Sequence, residues 1–222
     1  MIKAVIFDLD NCLSAADEVG EALFEPAFNA IRKANRGTLS NETLEEAFSD
    51  CWRHSLDFVA ARHGFSEAML AVGWEVLAGL EVTTPMSGYS DLSTLGEIDA
   101  LRFLVTSGFR RLQESKIRAL GIQRLFTEVL IDAIDDSNRK GKQQIFADIL
   151  VNYNLMPAQV LVVGDNPDSE IAAGNRLGIA TVQILRPGVT RCRNASYYID
   201  SLATVKDFVT SLLNQDQPPQ SE

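Results

Sequence analysis

A chain of 222 residues with 46% apolar and 23% charged residues can bury a sizeable core, which excludes a disordered polymer. Thirty Asp and Glu against twenty Lys and Arg leave a formal charge of −10. With no Lys/Arg runs to offset that field, a nucleic acid polymer or an anionic membrane surface is a poor partner.

No apolar run reaches the roughly 18 residues of a membrane-spanning helix. The apolar stretch from Ile2 stops at Asp8, too early for a secretory leader. Cys12, Cys51 and Cys192 lie far apart and form no CxxC pair. That pattern predicts neither a disulfide framework nor a zinc site, and fits a reduced, cytoplasmic setting.

In chain order, residues 3–8 read as a buried strand ending in acids. From 15 to 85 the pattern is helical. Phe24, Phe28 and Ile31 form one stripe, with Gly37 as a stop. Ser40 or Asn41 caps a second helix, on which Leu44, Phe48, Cys51, Trp52, Ser55 and Val59 share a face. A third helix covers 66–79.

Beyond Pro85, strands are predicted at 101–106, 128–132, 159–164, 180–185 and 197–199. Helices separate them at 109–120, 142–153 and 168–177, and a last helix starts near 201 and runs through Leu212. The tail from Asn214 is read as frayed. Strands alternating with helices predict an α/β fold with a doubly wound parallel sheet. Residues 1–14 and 86–222 form this Rossmann-like core, and 15–85 form a small helical cap inserted into it.

Ligands of such sheets bind at the carboxyl ends of the strands. Those ends carry Asp8-Leu9-Asp10, Thr106-Ser107-Gly108 and Gly164-Asp165, with Lys140 opening the helix after the third strand. Asp8 and Asp10, two apart on a strand, face one site. Paired carboxylates repel unless a cation joins them, and oxygen ligands around a hard ion suit Mg²⁺, with Asp165 as a further ligand. Acids, a hydroxyl, an ammonium and a divalent cation suit phosphoryl transfer.

The motif Phe7-Asp8-Leu9-Asp10-Asn11-Cys12-Leu13 resembles the first motif of the haloacid dehalogenase superfamily of phosphohydrolases. Leu104-Val105-Thr106-Ser107-Gly108 resembles the second, and Lys140-Gly141-Lys142 through Phe146 the third. Val162-Val163-Gly164-Asp165 through Gly174 resembles the fourth. Order and spacing match across nearly the whole core.

The resemblance implies Asp8 as nucleophile, Asp10 as general acid/base, and Thr106, Ser107 and Lys140 as phosphate binders. It implies Mg²⁺ held by the Asp8 side chain, the Asp10 carbonyl and Asp165. Lys142 competes with Lys140 for the lysine position, because Gly141 replaces the commoner proline. Glu170 stands where Asp is commoner, and Asp168 is the alternative acid there.

The expected function is Mg²⁺-dependent hydrolysis of a small phosphorylated metabolite through an aspartyl-phosphate. Asn11 inclines the reading toward a nucleoside monophosphate. The alternatives are a phosphosugar mutase, a haloacid dehalogenase and a non-catalytic phospho-ligand-binding protein. Asp132, Asp135 and Asp136 are read as a solvated acidic loop. His54, His63, Trp52 and Trp74 are read as surface or packing residues, and Arg53 and Arg62 as opposed on one helix.

Overall fold

The computed structural model describes residues 1–214, with side chains through residue 210. Six parallel strands make one sheet: β1 (Ala4–Phe7), β2 (Leu101–Gly108), β3 (Glu128–Ala133), β4 (Val160–Gly164), β5 (Ala180–Ile184) and β6 (Tyr197–Ile199). Their order is β3-β2-β1-β4-β5-β6, and β1 pairs with β2 on one side and β4 on the other. β1 and β4 are buried along their whole length, because helices cover both faces of a parallel sheet.

Alternation along the strands assigns the two faces. Val5, Phe7, Leu104, Val163 and Val182 pack with Ile117 of α5 (Arg110–Leu120) and Leu202, Val205 and Val209 near and within α8 (Ala203–Asn214). Ala4, Ile6, Phe103, Val105 and Val162 pack with Ile145, Phe146 and Ile149 of α6 (Gly141–Asn152) and Ala173 of α7 (Ala172–Arg176). The side chain of Leu212 and the tail beyond Asn214 lie outside the described residues.

Between β1 and β2 come four helices: α1 (Glu21–Ala34), α2 (Asn41–Asp50), α3 (Leu56–His63) and α4 (Glu67–Gly79). Phe24, Phe28, Ile31, Leu44, Phe48, Leu56, Met69 and Leu77 form a separate apolar cluster, which also reaches Leu112 and Phe109 beside α5. Phe28 and Phe48 stack at 4.3 Å between ring centroids. Buried Asn35 holds the turn after α1: its Oδ1 accepts from Leu39 N (2.9 Å) and its Nδ2 donates to Leu39 O (2.9 Å). Ser40 caps α2 as expected, accepting from Thr43 N at 3.2 Å.

The second helix is not continuous. Apolar periodicity persists through 59, but α2 ends at Asp50 and α3 begins after Ser55, with a turn between them. Trp52, Arg53 and His54 therefore project from a loop rather than from a helix face. Arg53 and Arg62 consequently do not share one helix.

Two passages connect the insertion to the sheet, and Glu18 joins them. Its carboxylate accepts from Ser14 Oγ at 2.9 Å and from the amides of Ser87 (2.6 Å) and Gly88 (3.1 Å). Beyond β5, buried Arg186 donates to Cys12 O (2.9 Å) and pairs with Asp91 (2.8 Å), whose carboxylate also accepts from Leu202 N (2.8 Å). No helix among the described residues is long and apolar enough to cross a membrane.

Candidate active site

Asp8 follows directly on β1, and the chain then turns sharply, with the amides of Cys12, Leu13 and Ser14 all donating to Leu9 O. The turn needs a left-handed residue, and Asn11 supplies it at φ 55°. The chain leaves β1 so that Asp8 and Asp10 both line one cavity of about 300 Å³. Thr106 and Ser107 from β2, Asp165 beyond β4 and Lys142 from α6 line it too.

The lysine beside Asp8 is Lys142, at 2.8 Å from Asp8 Oδ1 and 3.0 Å from Glu170 Oε2. The expectation for Lys140 is corrected: Lys140 is exposed and pairs with Asp148 at 2.7 Å. Gly141 explains the difference. It takes φ +77°, and its amide is fixed on Asp132 Oδ1 at 2.9 Å, which turns the first residue of the pair outward and the second inward.

Asp132 is likewise not solvated. It is 3% exposed and accepts from Ser107 Oγ (3.0 Å), from the Arg139 guanidinium and from Gly141. It joins the end of β2 to the start of α6. Asp135 and Asp136 are exposed, as the sequence suggests.

Glu170, in a π turn after β4, is 1% exposed and sits under Lys142. A Cβ on Gly164 would overlap Glu170 Cγ, so only glycine leaves room for it there. Asp168 is exposed at the cavity rim, and Asp8, Asp165 and Glu170 form the buried carboxylate group.

One oxygen from each of those three acids lies within 4.8 Å of the others. Burial, opposed by Lys142 and reinforced by Glu170, pushes Asp8 up to about 7. Burial, with Glu170 and Asp8 beside it, pushes Asp165 up to about 8. For Lys142, burial opposes the charge, but Asp8 and Glu170 outweigh it and raise its affinity for the proton. One ammonium thus faces three carboxylates. The donors are hard oxygens, so the crowding and the chemistry both fit a divalent cation such as Mg²⁺.

Across the cavity stand Trp52, Arg53, His54 and Phe58 from the α2–α3 turn and α3. Asn11 Nδ2 donates to Trp52 O at 3.5 Å, and Asn166 Nδ2 to Arg53 O at 3.4 Å. Arg53 reaches the Gly188 carbonyl. His54 packs on Phe58, ring centroids 4.6 Å apart, while His63 bonds Asp50 at 2.7 Å, away from the cavity.

Sequence reasoning overlooked Gln113 and Lys116, which both bond Asp10. Their signal was present: two polar residues three apart on α5, on the face that should be apolar.

A sequence profile of haloacid dehalogenase-like hydrolases matches residues 2–178. The chain is 31% identical over 200 residues to a glyceraldehyde 3-phosphate phosphatase of Methanopyrus kandleri, covering 84% of this chain and 85% of that one. It is 26% identical to a validoxylamine A 7'-phosphate phosphatase of Streptomyces hygroscopicus, covering 93% and 94%.

Among solved structures, a HAD-superfamily hydrolase of subfamily IA from Geobacter sulfurreducens superposes with a TM-score of 0.65 at 18% identity, covering 94% of this chain and 100% of that one. A magnesium-bound HAD hydrolase from Bacillus subtilis superposes at 0.62 with 15% identity, covering 94% and 98%. At those identities the likeness is one of fold. The profile match spans most of the described chain, and the chain belongs to the haloacid dehalogenase-like hydrolases.

Proposed function

We propose that this hydrolase is a Mg²⁺-dependent phosphatase of a small phosphorylated metabolite, working through an aspartyl-phosphate. The observation that carries the reading is Asp8 at the floor of the cavity, with Lys142 at 2.8 Å and Asp165 and Glu170 alongside. The relatives are named for two different phosphate esters, glyceraldehyde 3-phosphate and validoxylamine A 7'-phosphate, which supports the chemistry and leaves the substrate to the roof of the cavity. A volume of about 300 Å³ is at the small end for ligand pockets, in keeping with a compact ester.

Asp8 attacks phosphorus in line, and the P–O bond to the leaving group breaks with its electron pair going to oxygen. Asp10 supplies the proton to that oxygen, then accepts one from the water that hydrolyses the aspartyl-phosphate. The Thr106 hydroxyl and Ser107 amide bind phosphate oxygens, and Lys142 offsets charge on Asp8 and the phosphate. The Asp8 side chain, the Asp10 carbonyl and Asp165 would hold Mg²⁺, which neutralises the phosphate and lets the acids remain ionised. The helical insertion acts as a cap, excluding water through Trp52, Arg53 and His54.

Asp10 argues against a dehalogenase, whose chemistry needs no proton donor at that position. The test is phosphate release from a panel containing glyceraldehyde 3-phosphate, hexose phosphates and nucleoside monophosphates, with Mg²⁺ and then with excess EDTA. The expected result is turnover of at least one ester that EDTA stops and added Mg²⁺ restores. Hydrolysis that continues in EDTA removes the metal, and no release from any ester removes the phosphatase.

A further inference from the structure

Asp10 is gripped from behind. Lys116 Nζ lies 2.8 Å from its Oδ1, and Gln113 Nε2 lies 3.0 Å from its Oδ2. Both donors come from one face of α5, three residues apart, and both residues are nearly sealed from solvent, at 4% and 3% exposed. The second hydrogen of the Gln113 amide goes to Ser107 O at 2.9 Å, so one side chain ties the acid to the strand end beside it.

The geometry carries a cost. Gln113 Oε1 is buried with no hydrogen-bond partner among the described residues. Reversing the amide would aim that oxygen at a carboxylate and a carbonyl, so the orientation is fixed by its two acceptors. The backbone also makes room: a Cβ on Gly108 would stand 2.6 Å from Gln113 Nε2, at a φ of +154° that side chains rarely adopt. A buried ammonium and an amide with an orphaned oxygen are costly ways to attach a helix to a sheet, where apolar side chains would serve.

We infer that Lys116 and Gln113 are positioning residues that fix the Asp10 carboxyl group in the orientation from which it transfers a proton to the leaving oxygen. This rests on the phosphatase reading above. In the step they serve, an Asp8 oxygen bonds to phosphorus as the ester P–O bond breaks. The departing oxygen keeps the electron pair and takes the Asp10 proton, giving an alcohol and the aspartyl-phosphate.

A leaving group that departs easily as an anion needs that proton little, and a poor one needs it fully. The experiment therefore compares kcat/KM for p-nitrophenyl phosphate and phenyl phosphate, two esters of similar size, in wild type, Lys116→Met and Gln113→Met. Phenol is the poorer leaving group, with a tyrosine-like pKa of about 10. In Lys116→Met the phenyl ester is expected to lose about 10²-fold and the nitrophenyl ester less than about tenfold. Gln113→Met should show the same asymmetry at smaller size. In an Asp10→Asn background, neither substitution should widen the gap further.

Equal losses on both esters, or a gap that widens without Asp10, overturn the inference while leaving the phosphatase standing. If Lys116→Met does not fold by circular dichroism, the near-isosteric Gln113→Met decides alone. No phosphate release by the wild type from either ester or from any ester of the metabolite panel, with Mg²⁺ present, overturns both.

Discussion

The sheet and the helical insertion are built on opposite principles. Around the sheet, charged groups are buried: Asp8, Lys116, Asp132, Lys142, Asp165, Glu170 and Arg186 all have under 9% of their surface exposed. Among the described residues of the insertion the buried polar side chain is Asn35, just after α1, and its role is to close a turn. Burying an ion is costly unless its partners are fixed, so the sheet's carboxyl edge carries groups that apolar packing would replace at a gain. The insertion carries almost none. The carboxyl edge of the sheet thus carries buried ionised groups and the insertion carries apolar packing, and substitutions in the two should fail in different ways.

The largest effect is expected at Asp8. Asp8→Asn should reduce p-nitrophenyl phosphate turnover to background while the protein stays folded; measurable turnover would take the nucleophile away from this position. Next comes the lysine pair. Lys142→Met should cost about 10²–10³-fold in kcat, whereas Lys140→Met should stay within about twofold. Reversed sizes would mean the Gly141 turn is read the wrong way round.

In the insertion the loss should appear as stability. Phe48→Ala removes a ring stacked on Phe28, at about 3–5 kcal/mol, and should lower Tm by about 6–20 °C. Its kcat, measured well below that Tm, should remain within about threefold of wild type. A collapse of kcat at unchanged Tm would erase the contrast between the two regions.

The smallest effect concerns acid. Burial alone would raise Asp91, but the Arg186 guanidinium and the Leu202 amide outweigh it and hold its carboxyl below the usual range. A depressed folded value means the pair's contribution is complete above the unfolded value of about 3.9 and is lost as pH falls through the folded one. Urea unfolding below about pH 4 should therefore weaken more steeply in wild type than in Asp91→Asn. Parallel curves would show that the pair contributes nothing through its charge.

Much of the sheet was legible because β1 and β4 are short, unbroken apolar runs closed by acids, which leaves few other readings. The register at the lysines was not. Lys140 and Lys142 differ by two positions at the start of α6, and their fates were set by a glycine conformation and by Asp132, a residue 8–10 positions back whose burial no local pattern reveals. The break at Cys51–Ser55 escaped because apolar spacing continued across it, while the loop's hydrogen bonds to Asn11 and Asn166 are long-range in sequence. Gln113 and Lys116 were readable as misfits on an inward helix face, and were passed over because the motifs end before them.

Glu18 has a consequence for descent as well as for structure. One carboxylate draws together the outgoing and returning passages of chain, so the gap that the segment between them must bridge is short. A foreign segment of different length placed between them would have the same short gap to bridge. New substrates could then be acquired by exchange, without rebuilding the chemistry.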